Sequence, residues 1–310
     1  MVTVAETRTM ATAEIDFHGA YAYPIGQLEN GFHLVIENVL HISRLFNSFC
    51  VVAMARRAYT IAHAYAQYRV AFSSPILTYP AIKENLARIK SENTALVAAV
   101  FTAGHLQEKN DQKHSEDEKS KLLLRLIINI LKYLTAKWSI EHIHHALDIL
   151  AGNGTIETFS SIPRLFRDCI VCENWEGTHN ILHMQVLKDI HKYSIDELYF
   201  SYMDDELSQL DKQSSYLSLL NNELKQLKND LLQFKKQDNE LQSLQIHLIV
   251  DRMAILFCAL RLLKEALHQL TLQQSSSKLD CLQYFWMLHI NKNNMVYDKP
   301  YLELISRISI

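Results

Sequence analysis

The sequence predicts a mainly α protein, an up-and-down helical bundle followed by a second helical region, and three observations carry that expectation. Seven glycines and five prolines in 310 residues leave few helix breakers, and no glycine follows Gly177. Apolar residues recur at steps of three and four over long stretches. Residues 217–234 carry a heptad seam of leucines that ends on Phe234. With 48% hydrophobic and 21% charged residues, the chain has the composition of an ordinary globular protein with one large core or two smaller ones.

The amino-terminal stretch is the exception. Ala13-Glu14-Ile15-Asp16-Phe17 alternates apolar and polar with period two, and His18 to Gly26 is turn-rich. Residues 1–26 are therefore read as a short β-hairpin remnant of a sheet, which needs further strands or helices to pack on. From Gly31 a long helix is expected to run to Tyr68, with Phe32, Val35, Ile36, Val39, Leu40 and Ile42 on one apolar face. Ser73-Ser74-Pro75 ends it or closely follows its end. A second helix starts after Tyr79, with Pro80 in its first turn, and runs towards Gly104. The polar run Lys109 to Lys121 reads as a solvated loop or frayed helix end. A third helix covers Leu122 to Leu134 and extends towards Ile149, closed by Gly152 and Gly154, and another follows Thr178 to about Tyr193. Residues 27–193 make up the bundle and 194–310 the extension. In the extension, Leu217, Leu220, Leu224, Leu227, Leu231 and Phe234, continued by Leu241, Leu244 and Leu248, predict an antiparallel helical pair, with a partner-helix surface as the alternative. Ser275-Ser276-Ser277 is a linker before a last short helix.

A formal charge of −3 gives no global reason to expect nucleic acid or an acidic membrane as partner. Cys50, Cys169, Cys172, Cys258 and Cys281 form no even framework, and the one C-x-x-C lacks the second pair a zinc site needs. Buried thiols in a reducing compartment follow. The apolar stretches 122–134 and 246–263 are broken by Arg125, Lys132, Asp251, Arg252 and Arg261, so neither suits a bilayer. Met1 to Met10 has no apolar core, which points to a cytoplasmic or organelle-matrix setting. Glu141, His142, His144 and His145 sit close in sequence, but not in the H-E-x-x-H order, and no metal site is expected.

Four segments carry chemistry, in this order: Tyr65-Ala66-Gln67-Tyr68-Arg69-Val70-Ala71-Phe72, Asp148-Ile149-Leu150-Ala151-Gly152-Asn153-Gly154, Pro163-Arg164-Leu165-Phe166-Arg167-Asp168, and Trp175-Glu176-Gly177-Thr178-His179-Asn180. Together they resemble the carboxy-terminal helical domain of the acyl-CoA dehydrogenase family over about residues 12–193. The resemblance implies an acyl-CoA substrate and FAD, with Glu176 as the base that removes the proton next to a thioester carbonyl. It implies that Arg69 and Phe72 meet the flavin diphosphate across a subunit interface, and that the turn with Asp148, Gly152 and Gly154 approaches the flavin of a neighbouring subunit. Thr178 and Asn180 fall near the adenosine part, Arg44 near the base, and Trp175 and Gly177 flank it. A homo-oligomer, or assembly with a full-length homologue, is the partner this implies. The family's amino-terminal helical domain and most of its β-domain are expected to lie outside this sequence. Ala71 and Ser73 stand where the family usually has a hydroxyl residue and a glycine, and Ala151 where it has a glycine.

The residue chemistry suits these roles. A carboxylate is a weak base in water, and desolvation beside Trp175 is expected to strengthen Glu176. Hydrogen bonds to a thioester carbonyl acidify the neighbouring proton, and flavin accepts hydride. Arg69 offers a planar donor fork for phosphate, and glycines at 152 and 154 permit close backbone approach. The plainer readings are a surface carboxylate at 176, a helix cap at Arg69 and a helix stop at the two glycines. A single cleft built by several helices is expected to unite Glu176 with Arg69 and the 152–154 turn. The Trp-Glu-Gly-Thr-His-Asn wording and the helical extension resemble the branch of the family that includes alkylation-response proteins, some of which bind DNA through the extension. From residue 196 onward, however, acidic and basic residues balance without a clustered Lys/Arg face, which argues against DNA. The expected function is α,β-dehydrogenation of an acyl-CoA. The alternatives are a non-catalytic assembly or regulatory chain of the family and a DNA-repair accessory.

Overall fold

The computed structural model describes residues 13–112, 117–210, 214–272, 277–291 and 295–310. The expected hairpin at the start is not formed. Residues 13–26 carry no strand, and Ile15, Phe17, Tyr21, Tyr23 and Ile25 are 69–94% exposed. Period-two alternation makes a strand only where a partner edge exists, and none is in reach. Residues 1–12 of that reading lie outside the described residues.

Helix α1 (Gly31–Leu34) passes through a π-turn, Val35–Leu40, into α2 (His41–Tyr68). The apolar face expected at its start is not buried: Phe32 is 80%, Val35 49% and Val39 56% exposed. Burial begins at Leu45 and then follows Ala55, Ala58, Ala62 and Ala66, all fully buried. This stripe of methyl groups lets another helix lie close against α2. Strands β1 (Val70–Ala71) and β2 (Ser74–Pro75) pair antiparallel, the only strand pairing among the described residues.

Helix α3 (Pro80–Gln112) returns antiparallel to α2, with Asn93 Nδ2 donating to Val52 O at 3.1 Å and His41 Nε2 lying 3.1 Å from Gln107 Oε1. It runs one turn and more into the polar run expected to be a loop. Asp117 caps α4 (Glu118–Leu150) by accepting from Lys119 N. Helix α4 packs along the alanine stripe of α2, parallel to it. Helices α5 (Ile162–Asn174) and α6 (His179–Tyr193) complete the bundle. Asn47 Nδ2 donates to Cys172 O at 2.9 Å, and Arg125 pairs with Asp189 at 2.9 Å, which sets α5 antiparallel to α2 and α6 antiparallel to α4.

The extension consists of α7 (Ile195–Ser208), α8 (Ser215–Phe234), α9 (Asn239–Thr271), α10 (Ser277–His289) and α11 (Lys299–Ser309). Leu220, Leu224, Leu227, Leu231 and Phe234 bury the expected seam, and α8 and α9 run antiparallel. The continuation of that seam is different. Leu241, Leu244 and Leu248 are 42%, 68% and 53% exposed, while Ile246, Ile249, Val250 and Met253 are buried. The turn at 235–238 and the Asp238 cap, which accepts from Leu241 N at 2.9 Å, reset the helical phase. One apolar cluster runs unbroken from Leu45 in α2 to Ile308 in α11. Among the described residues no helix is long and apolar enough to cross a membrane.

A buried polar knot ties the extension to the bundle. Glu92 of α3 has no exposed surface. His142 Nε2 of α4 lies 2.6 Å from one of its oxygens, and His289 Nε2 of α10 lies 2.8 Å from the other. Burial alone disfavours the ionised carboxyl, but the hydrogen bonds and charge of His142 and His289 outweigh it and hold Glu92 well below its ordinary 4.5. A depressed carboxyl stabilises the fold above its unfolded-state pKa and loses that contribution as pH falls. Glu92→Gln is therefore expected to lower stability at about pH 7 by ~3–5 kcal/mol, since two buried imidazoles lose their partner, and the gap to wild type narrows towards about pH 3. Urea denaturation at both pH values checks this; a pH-independent gap contradicts it. Phe285→Ala is expected to cost ~3–5 kcal/mol in a single cooperative thermal transition, because Phe285 is fully buried against Trp138 in the shared core. Two separate transitions in calorimetry would show that the extension unfolds independently.

Candidate functional site

Helix α5 stops at Asn174, and the chain turns through Trp175, Glu176 and Gly177 before α6 begins. Pro163 stands in the first turn of α5, where its missing N–H costs nothing. Glu176 has φ +60° and Gly177 φ +105°, so two consecutive residues lie in the left-handed region. Glycine tolerates this; for glutamate the cost is of order 1–3 kcal/mol, and surrounding contacts must hold it there.

Those contacts come from α2 and α4. Arg44 Nε donates to Glu176 O at 3.0 Å, and Arg44 Nη1 to Asn129 Oδ1 at 2.9 Å. Lys132 Nζ donates to both Glu173 O and Gly177 O at 2.8 Å. The last carbonyls of a helix have no intrahelical partner and carry its negative dipole end, and Lys132 meets one of them, Glu173 O, while Arg44 holds the turn just beyond. The Glu176 carboxylate points back to the bundle, where Ser43 Oγ donates to its Oε1 at 2.7 Å. Lys132 is fully buried, and desolvation lowers its pKa to about 8. Desolvation also lowers Arg44, partly offset by the charge of Glu176. The Cys172 thiol is pushed up to about 11 by burial.

Trp175 is 50% exposed, so its ring does not enclose the carboxylate as expected. Glu176 is half-buried by its contacts with Ser43 and Arg44 instead, because the left-handed turn directs it to the bundle. Thr178 and Asn180 are exposed. Beside Asn180 opens a cavity of about 730 Å³ lined by Tyr133, Glu173, His179, His183 and, from α9, His247. Tyr133 donates to Asp251 Oδ1 at 2.5 Å and accepts from Lys137 Nζ at 2.8 Å, so the extension supplies one wall of this space. Burial and the Lys132 charge lower His179 to about 4.

The other residues singled out by sequence gather elsewhere. Arg69 follows α2, is exposed, and its guanidinium makes no hydrogen bond or ion pair among the described residues. Phe72 (φ +49°) and Ser73 (φ +72°) form the tip between β1 and β2, with Phe72 94% exposed. Tyr79 Oη donates to Ala71 O at 2.8 Å and steadies that tip. Asn153 Nδ2 donates to Tyr65 Oη at 3.1 Å, which brings the turn at Ala151–Thr155 beside it. Ala151 takes φ +50° there, and Asp148 is exposed. A Cβ on Gly152 would meet nothing within 4 Å, whereas one on Gly154 would lie 2.4 Å from Leu147 O. Gly152 thus leaves the backbone open to a ligand, while Gly154 is required by the helix end itself. A guanidinium without a partner among the described residues, an outward aromatic ring and open glycine backbone at one end of α2 fit a group with a diphosphate and aromatic rings.

The expected single cleft is not formed within one chain. Ser43 and Arg69 lie at opposite ends of α2, roughly 40 Å apart at the helical rise, so Glu176 and the 152–154 turn face different regions. The cause is the long unbroken α2. The structure brings Arg44, Trp175, Glu176, Gly177, Thr178 and Asn180 together at one end and Arg69, Phe72, Asp148, Gly152 and Gly154 at the other.

Sequence reasoning missed Ser43, Asn47, Asn129 and Lys132 as supports of the turn. The signal for Lys132 is a cation within the apolar run 122–134, which by itself argues only against membrane insertion. Among the described residues no three His, Cys, Asp or Glu side chains converge on a possible metal position. His142, in the histidine-rich stretch, is bound to Glu92.

The two glycines give a direct test. Gly154→Ala is expected to destabilise the fold by ~1–3 kcal/mol, because backbone must move, while Gly152→Ala leaves stability within ~0.5 kcal/mol. Thermal denaturation of both variants checks this; equal losses would contradict the assignment.

Comparison with known proteins identifies the family. A family model for the acyl-CoA dehydrogenase C-terminal domain matches residues 29–191. The chain is similar to acyl-CoA dehydrogenase family member 11 of Caenorhabditis elegans, 30% identical over 59% of this chain and 29% of that protein. It is also similar to the putative acyl-CoA dehydrogenase AidB of Escherichia coli, 27% identical over 60% of this chain and 33% of that one. It therefore spans about a third of the length of these relatives. In fold it is similar to C. elegans ACDH-11 in complex with C11-CoA, with TM-score 0.77 and 21% identity over 89% of this chain and 47% of that chain. It is likewise similar to a Bacillus anthracis acyl-CoA dehydrogenase complexed with FAD, with TM-score 0.73 and 19% identity over 92% and 57%. With its helical architecture, its Glu176 turn and a domain model covering more than half its length, the chain belongs to the acyl-CoA dehydrogenase family.

Proposed function

We propose that this chain takes part in α,β-dehydrogenation of an acyl-CoA thioester, with Glu176 as the base and FAD as the hydride acceptor. The observation that carries this reading is the Glu176 turn, in which a residue with left-handed backbone has its carboxylate held by Ser43, its own carbonyl by Arg44 and the next carbonyl, Gly177 O, by Lys132. The similarity to an FAD complex and to a C11-CoA complex supports the choice of ligands.

Each residue has a definable part. Glu176 takes the proton from the carbon next to the thioester carbonyl, and the hydroxyl of Ser43 keeps the carboxylate aimed while it is unprotonated. Bound flavin supplies the two-electron acceptor for the hydrogen on the next carbon. Arg69 would hold diphosphate oxygens with its planar fork, Phe72 would cover an apolar surface, and Gly152 with Asp148 would border the cofactor. Thr178 and Asn180 would lie against the adenosine part. Since the two groups of residues lie at opposite ends of α2, a complete site draws them from two chains, either copies of this one or a full-length homologue.

A second reading is a non-catalytic role in assembly. It is favoured by the apolar residues left outside the core, with Phe32 80%, Phe46 69% and Phe101 64% exposed.

The test is anaerobic mixing of the FAD-reconstituted protein with acyl-CoA, followed by flavin absorbance. Glu176→Gln is expected to slow bleaching by ~100-fold or more while circular dichroism is unchanged. Unchanged bleaching assigns the base elsewhere. A wild-type protein that takes up FAD and is never bleached supports the assembly reading.

A further inference from the structure

We propose that Lys132 is a positioning residue that locks the left-handed backbone at Glu176 and thereby aims the carboxylate; the inference rests on the reading of Glu176 as the base. Lys132 sits on α4 between apolar neighbours, without exposed surface, and its ammonium reaches two carbonyls that straddle Glu176. One is Glu173 O in the last turn of α5, the other Gly177 O just past the strained residue, both at 2.8 Å. With these two points fixed, and Arg44 holding Glu176 O between them, the intervening backbone has few other paths.

The choice of a lysine is chemically specific. The carbonyls at the end of α5 carry the negative end of its dipole, and an ammonium offers three donors to them without needing a carboxylate partner. A neutral amine retains two donors but loses the ion–dipole attraction, so the clamp weakens on deprotonation. From the elements packed around it, Lys132 faces Arg44 of α2, Cys172, Glu173 and Glu176 of α5 and its turn, and His179 of α6. Burial lowers Lys132 to about 8, lifts Cys172 to about 11 and, with the Lys132 charge, holds His179 at about 4, so neither neighbour titrates in the lysine's range.

Trp175, next to Glu176 and 50% exposed, is a built-in reporter of the turn. The protein has three tryptophans. Labelling with 5-fluorotryptophan, and assigning the Trp175 resonance by its loss in Trp175→Phe, gives a fluorine NMR readout independent of any reaction. In wild type that resonance is expected to titrate from about pH 6 to about pH 10, with a midpoint near 8. In Lys132→Met it is expected to stay flat and shifted, and in Lys132→Arg, which keeps a cation, to move back towards the wild-type position without titrating. A wild-type resonance that does not titrate, or a folded Lys132→Met resonance that superimposes on wild type, overturns the proposal. Should Lys132→Met not fold, the wild-type titration and Lys132→Arg decide alone.

The kinetic arm separates this inference from the reading beneath it. Lys132→Met is expected to lose roughly 100-fold in the rate of acyl-CoA-dependent bleaching, with half-saturation changed by less than about threefold. Bleaching unaffected by Glu176→Gln removes the base assignment, and with it the aiming role. Bleaching abolished by Glu176→Gln but unaffected by Lys132→Met removes the positioning role alone.

Discussion

The free carbonyls at the end of α5 are the constraint around which the candidate site is arranged. On the bundle side of that helix end the carbonyls of Cys172 and Glu173 face other helices, and a covered acceptor costs free energy unless a donor meets it. Here the donors to the helix end come from different helices, Asn47 on α2 and Lys132 on α4, and Arg44 of α2 holds Glu176 O in the turn that follows. Their side chains reach a single turn because the start of α2 lies against α4, where Arg44 donates to Asn129. Packing, capping and the position of Glu176 are thus one problem with one solution. The left-handed conformation at Glu176 follows from that solution, since carbonyls on both sides are held.

The extension contributes in the same terms. Helix α10 inserts His289 against buried Glu92, and α9 supplies His247 and Asp251 to the wall of the cavity behind the turn. The core is continuous between the regions, so the extension packs directly on the bundle. The charged pairs Arg261–Glu206 and Lys235–Asp196 tie α7 to its neighbours at 2.6 Å each, and both link helices within the extension.

Much of the fold was legible in the sequence because its signals are local. The scarcity of glycine, the step of three and four, Pro80 at a helix start and the glycines after Leu150 placed the main helices well. The leucine seam of α8 was legible for the same reason. What failed depended on partners in space. The alternation of Ala13 to Phe17 became no strand because no sheet edge meets it, and Leu241 to Leu248 turned outward because the Asp238 cap reset the phase. The Glu176 motif was legible as a string, but its supports were not, since Ser43, Asn47, Asn129 and Lys132 are ordinary residues far away in sequence. Gly152 and Gly154 looked alike in sequence, and only packing against Leu147 O separates them. Their separation from Glu176, roughly 30 Å at the helical rise between Lys132 and the end of α4, is a consequence of helix length that sequence motifs do not register.

The central claim is geometric: the acid at 176 looks onto the carbon that loses its proton. The most direct measurement is a crystal structure of the protein with FAD and an acyl-CoA analogue that cannot be dehydrogenated. The account predicts one carboxylate oxygen of Glu176 within ~3–3.5 Å of the carbon next to the thioester carbonyl, with the backbone of residues 173–177 unchanged. A thioester bound away from this turn, with Glu176 still held only by Ser43, would contradict it.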